Sequence, residues 1–193
     1  FSAGCICHNM DSAKDIFRNK IKFAYTNITD DQKALLAEVG YTLPKPTSDK
    51  GNAYVFDNGA SLKVGTSYRG DTLQSLHVSE FGKICKKYPD KAKEIVTGAF
   101  EAVGADGVIT IESTPEGKAG YFYDYCQTAK KAQDLKSKIT KLDFKFHFFS
   151  WWLRPEYSID GEISSQLTSY FNELESKYKI PLSDGQKAWY SAK

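Results

Sequence analysis

Apolar positions along this chain switch between the spacing of strands and the spacing of helices. Residues 3–8, AGCICH, form a short apolar run of the length of a buried strand. Asn9-Met10-Asp11-Ser12 then supplies cap-type residues. Ala13, Ile16, Phe17, Ile21 and Ala24 or Tyr25 recur close to a 3.6-residue period, which predicts a helix over 12–28. A second helix is predicted over 31–38, stopped by Gly40, and 41–52 reads as a loop carrying Pro44, Pro46 and Ser48. Runs 53–56 and 61–68 flank Asp57-Asn58-Gly59-Ala60, the pattern of a β-hairpin. LQSLHV (73–78) predicts another strand, ending at Ser79-Glu80-Phe81-Gly82. Pro89 opens a predicted helix to residue 103, with Ile95, Val96, Ala99, Phe100 and Val103 on one face. Gly104 and Gly107 end it before a compact strand at 108–111. A helix over 121–138, a strand-like aromatic run at 144–152 and a helix over 164–178 follow. Pro181 breaks that helix before a short one after Ser183. Strands alternating with helices, interrupted by one hairpin, predict an α/β fold with a mostly parallel sheet.

Composition narrows the class. At 193 residues the chain is long enough for one well-cored domain. Lys and Arg total 26 against 24 Asp and Glu, a formal charge of +2, which excludes a polybasic nucleic-acid protein recognisable by charge alone. An apolar fraction of 41% with 12 Tyr and 12 Phe excludes a disordered tail. No run approaches a membrane span, so no membrane partner is expected. Cys5, Cys7, Cys85 and Cys126 do not have the spacing of a secreted disulfide framework, so reduced thiols in a cytoplasmic protein are expected. The chain opens on Phe1 with no initiator Met, and reads as a piece of something larger.

The chemistry concentrates where predicted strands end. In open α/β sheets the reactive crevice lies beyond the carboxyl ends of the strands. Strand 73–78 would deliver Ser79 and Glu80 to that edge, and strand 108–111 would deliver Ser113 and Thr114. A carboxylate there can orient and deprotonate a water or help hold a hydrated Mg²⁺; it can also simply cap the next helix. Elsewhere the simpler readings prevail. Cys5-x-Cys7-His8 lacks a second ligand pair for zinc, so both thiols read as small buried side chains. The lysines between 130 and 145 read as a solvated helix face, with DNA-backbone contact as the alternative. The aromatic run at 144–152 reads as core, with a single-strand stacking platform as the alternative.

Three segments carry a family resemblance: YRGDTLQSLHVSEFGKI (68–84), KYPDKAKEIVTGAFEA (87–102) and VITIESTPEGKAGYFYDYC (108–126). With CHNMDSAKDIFRNKIKFAY (7–25) and FKFHFFSWWLRPEY (144–157), they resemble the ATPase region of the large terminase subunit of tailed bacteriophages and prophages. The resemblance spans nearly the whole chain, with the motifs in the family's order. It implies a three-layer RecA-like P-loop NTPase core with a mostly parallel sheet. Residues 1–143 would be part of that core and 144–193 a lid and linker toward a nuclease domain. The implied activity is ATP hydrolysis that drives viral double-stranded DNA into a procapsid, beside cleavage of concatemeric DNA by the nuclease. Glu80 matches the glutamate that activates water. Ser79 stands where an Mg²⁺-associated Asp is common, and would reach the ion through a bound water. Ser113 and Thr114 match the coupling motif that senses phosphate. Arg69, after the hairpin, resembles an arginine finger inserted into a neighbouring subunit's site; its simpler role is tying down the hairpin exit.

The implied cofactors are ATP and Mg²⁺. The implied partners are viral DNA, the small terminase subunit, the portal protein and further copies in a ring, in the cytoplasm of an infected or lysogenic bacterium. One departure matters. No G-x-x-x-x-G-K-[ST] phosphate loop occurs in the sequence, nor does the strand that would precede it; both are expected upstream of Phe1. On its own this chain is expected to bind ATP weakly or not at all and to be inactive. Two other readings remain open: a non-catalytic interaction module from a degenerate prophage gene, and a related helicase-like remodelling ATPase.

Overall fold

The computed structural model describes residues 1–193 apart from Arg69 and Asp71. The chain divides into two compact units, Phe1–Lys145 and Phe146–Lys193.

The first unit is α/β. A six-stranded sheet runs in the order β2-β3-β4-β1-β5-β6. Its strands are β1 (Ser2–Ile6), β2 (Pro46–Asp49), β3 (Ala53–Phe56), β4 (Ser61–Gly65), β5 (Leu73–Val78) and β6 (Val103–Ile111). β1 pairs in parallel with both β4 and β5, and β5 with β6. The β2–β3 and β3–β4 pairs are antiparallel, so the hairpin around Asn58-Gly59 forms as its sequence predicts. Gly59, at φ 78°, supplies the left-handed position that such a turn needs.

Alternation along β1 builds two cores. Ile6 faces one side with Leu76, Val78, Phe81, Ile84 and Ile95, packed by α4 (Phe81–Lys87), α5 (Pro89–Glu94) and α6 (Tyr121–Asp134). Cys5 and Cys7 face the other side with Ala13, Phe17, Tyr54 and Val64, under α1 (Met10–Ile16). That helix continues through a π-helical stretch, Phe17–Lys22, into α2 (Phe23–Thr26). The arrangement is compatible with three layers. Gly4 is required at the centre: a Cβ there would stand 2.9 Å from the Tyr68 ring. The Tyr68 hydroxyl donates to the Lys63 carbonyl and accepts from the Cys5 N–H.

Several elements depart from the periodicity. β2 occupies part of the predicted loop at 41–52, because Pro46 is tolerated at the first residue of an edge strand and a bulge follows it. β6 starts at Val103 rather than 108, and Gly104 and Gly107 lie inside it where the register with β5 shifts. The helix from Pro89 therefore ends at Ala99. α6 stops at Asp134, with Lys136 in a left-handed conformation two residues on. α3 (Asp30–Glu38) follows the prediction closely, started by a Thr29–Gln32 capping box.

The second unit is helical and aromatic. The predicted strand at 144–152 is absent; instead Trp151–Leu153 forms one 3₁₀ turn. α7 (Thr168–Tyr178) and α8 (Asp184–Ala192) enclose Phe171, Leu182 and Ala188. Trp189 stacks on Tyr157 with ring centroids 4.1 Å apart, and Trp151 packs on both Trp189 and Tyr190. Gln186 Nε2 donates to the Trp152 carbonyl at 2.8 Å.

Candidate functional site

The chain leaves β1 toward β4 on one side and later returns to β5 on the other. That reversal is a topological switch point, where the carboxyl ends of the strands open a crevice. A cavity of about 280 Å³ lies there, lined by Cys7 and His8 after β1, Ser12, Asp15 and Ile16 on α1, and Ser79 and Glu80 after β5.

The backbone fixes this edge tightly. Ser79 N–H donates to the Ile6 carbonyl at 2.9 Å and Cys7 N–H to the Gly65 carbonyl at 2.9 Å, which prolong the parallel ladders past the strand ends. Glu80 then turns the chain into α4 from a left-handed conformation, φ 56° and ψ 41°. A non-glycine residue there costs on the order of 1–2 kcal/mol, so the surroundings must impose it. Its side chain makes no cap bond to α4 and is left to the cavity.

The first strand's end is held from the opposite face. Lys91 Nζ, reaching from α5, donates to the Cys7 carbonyl at 3.1 Å and the His8 carbonyl at 3.0 Å. Burial there pushes the Lys91 ammonium below its ordinary pKa. His8 is likewise pushed down, first by burial and then by Lys83 and Lys91. Its Nε2 lies 3.4 Å from Ser12 Oγ. The Cys5 and Cys7 side chains lie in the same core cluster, on one side of β1 and its exit. Their proximity makes Cys5 much harder to ionise and lowers Cys7, which Lys91 also favours as thiolate.

The two strand ends that the sequence singled out do meet. β5 and β6 are in parallel register, His77 opposite Thr110 and Val78 opposite Ile111. Glu80 and Ser113 thus leave neighbouring strands at the same edge. Their side chains diverge. Among the described residues Ser113 Oγ is buried without a hydrogen-bond partner, and it sits under the first turn of α4, where a Cβ on Gly82 would stand 2.8 Å from it. Thr114 is exposed. Arg69 lies outside the described residues.

Glu112 was not singled out by sequence reasoning, although it adjoins Ser113. His77 Nε2 lies 3.4 Å from its Oε1. Hydrogen bonding from His77 first, then from the Ser79 hydroxyl and the Glu80 N–H, holds its carboxyl below the ordinary range against partial burial. Asp15 and Ser12 were missed too. The rule that pointed to Glu80, acids beyond parallel strand ends, also covers the helix that follows β1.

Mg²⁺ commonly keeps several waters and takes one or two carboxylates; Glu80 could supply one, and the Ser79 hydroxyl could hydrogen-bond a metal-bound water. Among the described residues no three His, Cys, Asp or Glu converge as a preformed cage, and a hydrated ion needs none. Among the described residues the lining carries no Lys or Arg, and its side-chain donors are His8, Ser12 and Ser79. Compared with models of protein families and with curated proteins, the chain matches none. Among the described residues no helix is long and apolar enough to cross a membrane.

Proposed function

We propose that this chain is part of the ATPase region of a phage or prophage terminase large subunit. In this reading Glu80 is the general base that orients and deprotonates the water attacking ATP. Ser79 helps hold hydrated Mg²⁺, and Ser113 and Thr114 couple hydrolysis to movement of viral double-stranded DNA. Arg69 acts across subunits of a ring. The RecA-like character of the core, the portal and small-subunit partners and the bacterial cytoplasm belong to the same proposal. The observation that supports it most is the place of Glu80: a carboxylate with no structural cap role, beside the cavity at the switch point of a mostly parallel sheet. Bound Mg²⁺ would offset charge on the phosphates.

The buried position of Ser113 under α4 suits coupling better than phosphate contact. A phosphate-side change that moved α4 would be felt at β6 through Gly82 and Ser113. A second reading is a non-catalytic interaction module.

One experiment separates the two. The gene product that carries this segment is assayed for Mg²⁺-dependent ATP hydrolysis, with and without Glu80→Gln. A general base contributes about 10²–10⁴-fold, so the variant should lose at least about 100-fold while nucleotide binding persists. Undiminished hydrolysis in the variant removes the catalytic assignment, and no hydrolysis in the parent favours the module.

A further inference from the structure

Two exposed surfaces of the first unit carry opposite charge, and each interleaves that charge with apolar side chains. The first is α3. None of its nine residues is buried, although a helix of that length is marginal in water without packing. Asp31, Leu35, Glu38 and Val39 recur at helical spacing and share one stripe, with Leu35 64% and Val39 76% exposed. Lys33 is taken up by Asp30 at 2.9 Å, and among the described residues Asp31 and Glu38 form no ion pair. The second surface begins near the end of α6. Residues 130–145 hold six lysines and two acids, and both acids are engaged locally. Asp134 pairs with Lys130, and the Asp143 carboxylate accepts from the Thr140 N–H and hydroxyl, each at 2.7 Å. Those Thr140 bonds shape the turn that presents Leu142, 87% exposed; Leu135 and Ile139 in the same segment are exposed too. Because α6 stops at Asp134, Lys136 to Lys145 lie on irregular chain rather than on the predicted helix face. The two surfaces issue from opposite faces of the sheet. α3 follows α2, whose Tyr25 packs with Cys5 and Cys7, whereas α6 packs on the side of Ile6.

We propose that these surfaces are each other's partners between molecules: the acidic stripe of α3 in one copy of this chain docks on the basic, apolar segment 130–145 of the next. A nucleic-acid backbone would answer the lysines but offer Leu135, Ile139 and Leu142 no apolar partner. An anionic lipid surface would suit segment 130–145 and leave α3 uncovered. A second copy answers both, because α3 brings carboxylates together with Leu35 and Val39, and exposed apolar side chains rimmed by complementary charge mark association sites. The two patches differ, so the contact is heterologous and either closes into a ring or runs on as a filament. It places the contact between subunits of the proposed ring and rests on that reading only for its biological meaning.

Sedimentation of the full chain, without nucleotide, reads the association directly. Species larger than a monomer should form at concentrations up to about 100 µM. They should dissociate as salt rises from ~0.01 to ~1 M, over which the Debye length falls from about 30 to about 3 Å. Asp31→Lys with Glu38→Lys reverses one surface, and Lys136→Glu with Lys138→Glu reverses the other; all four positions are exposed. Either pair alone should weaken association at least about tenfold, because like charges then face each other. An equimolar mixture of the two variants should regain it, as should one chain carrying all four substitutions. The mixture decides the matter even if the fourfold variant does not fold. A parent chain that stays monomeric, association that survives either reversal, or a loss that the mixture does not restore would each overturn the proposal. A monomeric parent that binds duplex DNA or phosphatidylserine vesicles, and loses that binding with Lys136→Glu and Lys138→Glu, would assign the segment to that anion instead. The hydrolysis assay with Glu80→Gln succeeds or fails independently, so association without hydrolysis and hydrolysis without association are distinct results.

Discussion

Glu80 and Ser113 leave neighbouring parallel strands at the same edge, yet one side chain lines a cavity and the other is sealed beneath a helix. The difference follows from what comes next in the chain. Glu80 turns abruptly into α4, whereas Ser113 runs on without regular structure toward Pro115 and passes under the glycine of that same helix.

The Ser113–Gly82 contact has measurable consequences. A buried hydroxyl without a partner costs about 1–3 kcal/mol relative to one that is satisfied, and alanine removes the hydroxyl with little loss of volume. Ser113→Ala should therefore raise unfolding stability by up to about 1 kcal/mol in urea titration. Gly82→Ala should lower it by about 1–2 kcal/mol, since the new methyl meets Ser113 Oγ at 2.8 Å and the Phe122 ring at 3.1 Å. The double variant should recover part of that loss. Independent, additive effects would mean the two residues do not share the space.

Glu80→Gly separates stability from chemistry. Glycine enters the left-handed region freely, so relief of strain outweighs its greater unfolded-state entropy by about 0.5 kcal/mol. The variant should be slightly more stable than the parent protein, and on the proposed reading of Glu80 the gene product that carries it should lose ATP hydrolysis. A clear loss of stability would show that the Glu80 side chain also contributes to packing.

Acidification should weaken the fold through His8. Burial, Lys83, Lys91 and Lys87 all resist its protonation, and Glu80 opposes them. The unfolded chain takes up a proton near the ordinary imidazole value of about 6.5, and the folded chain does so only at lower pH. The unfolded state thus binds more protons in that window, and stability falls as pH drops through it. His8→Gln should flatten the stability profile between about pH 7 and 5, as followed by denaturant midpoints. An unchanged slope would assign the pH dependence to other groups.

Trp189 holds the second unit together through its stack on Tyr157 and its contact with Trp151. Trp189→Ala should cost that unit about 2–3 kcal/mol, less than a fully buried Trp because the ring is partly exposed. Amide exchange should rise across α7 and α8, while β1 and β5 keep their protection. A uniform rise over both units would mean that they unfold together.

Legibility in the sequence tracked how local each cause was. The β1 run, the Asn58-Gly59 hairpin, β5 and the capped α3 all follow from neighbouring residues. β2 was hidden because prolines normally signal a loop, and only its edge position makes Pro46 acceptable there. β6 was read short because Gly104 and Gly107 look like terminators, although here they sit at a register shift. The aromatic run after Phe144 has strand-like composition, but Trp151 packs on Trp189 and Tyr190 of α8 and Trp152 on Tyr178 of α7, all far along the chain. Within the site, Glu80 was legible from its place after an apolar run. Glu112 was not, because its pairing with His77 depends on how β6 lies against β5, and no local pattern encodes that register.

The central position of β1 also governs the order of events during synthesis. Of the six strands, residues 2–6 are made before the others, yet their parallel partners are residues 61–65 and 75–78. The β3–β4 hairpin can close within microseconds of its appearance. β1 has no neighbour on its other side until β5 has been made, roughly 4–15 s later at ordinary elongation rates. Its apolar AGCICH segment spends that interval without its full set of strand partners, the window in which a nascent chain depends most on chaperones.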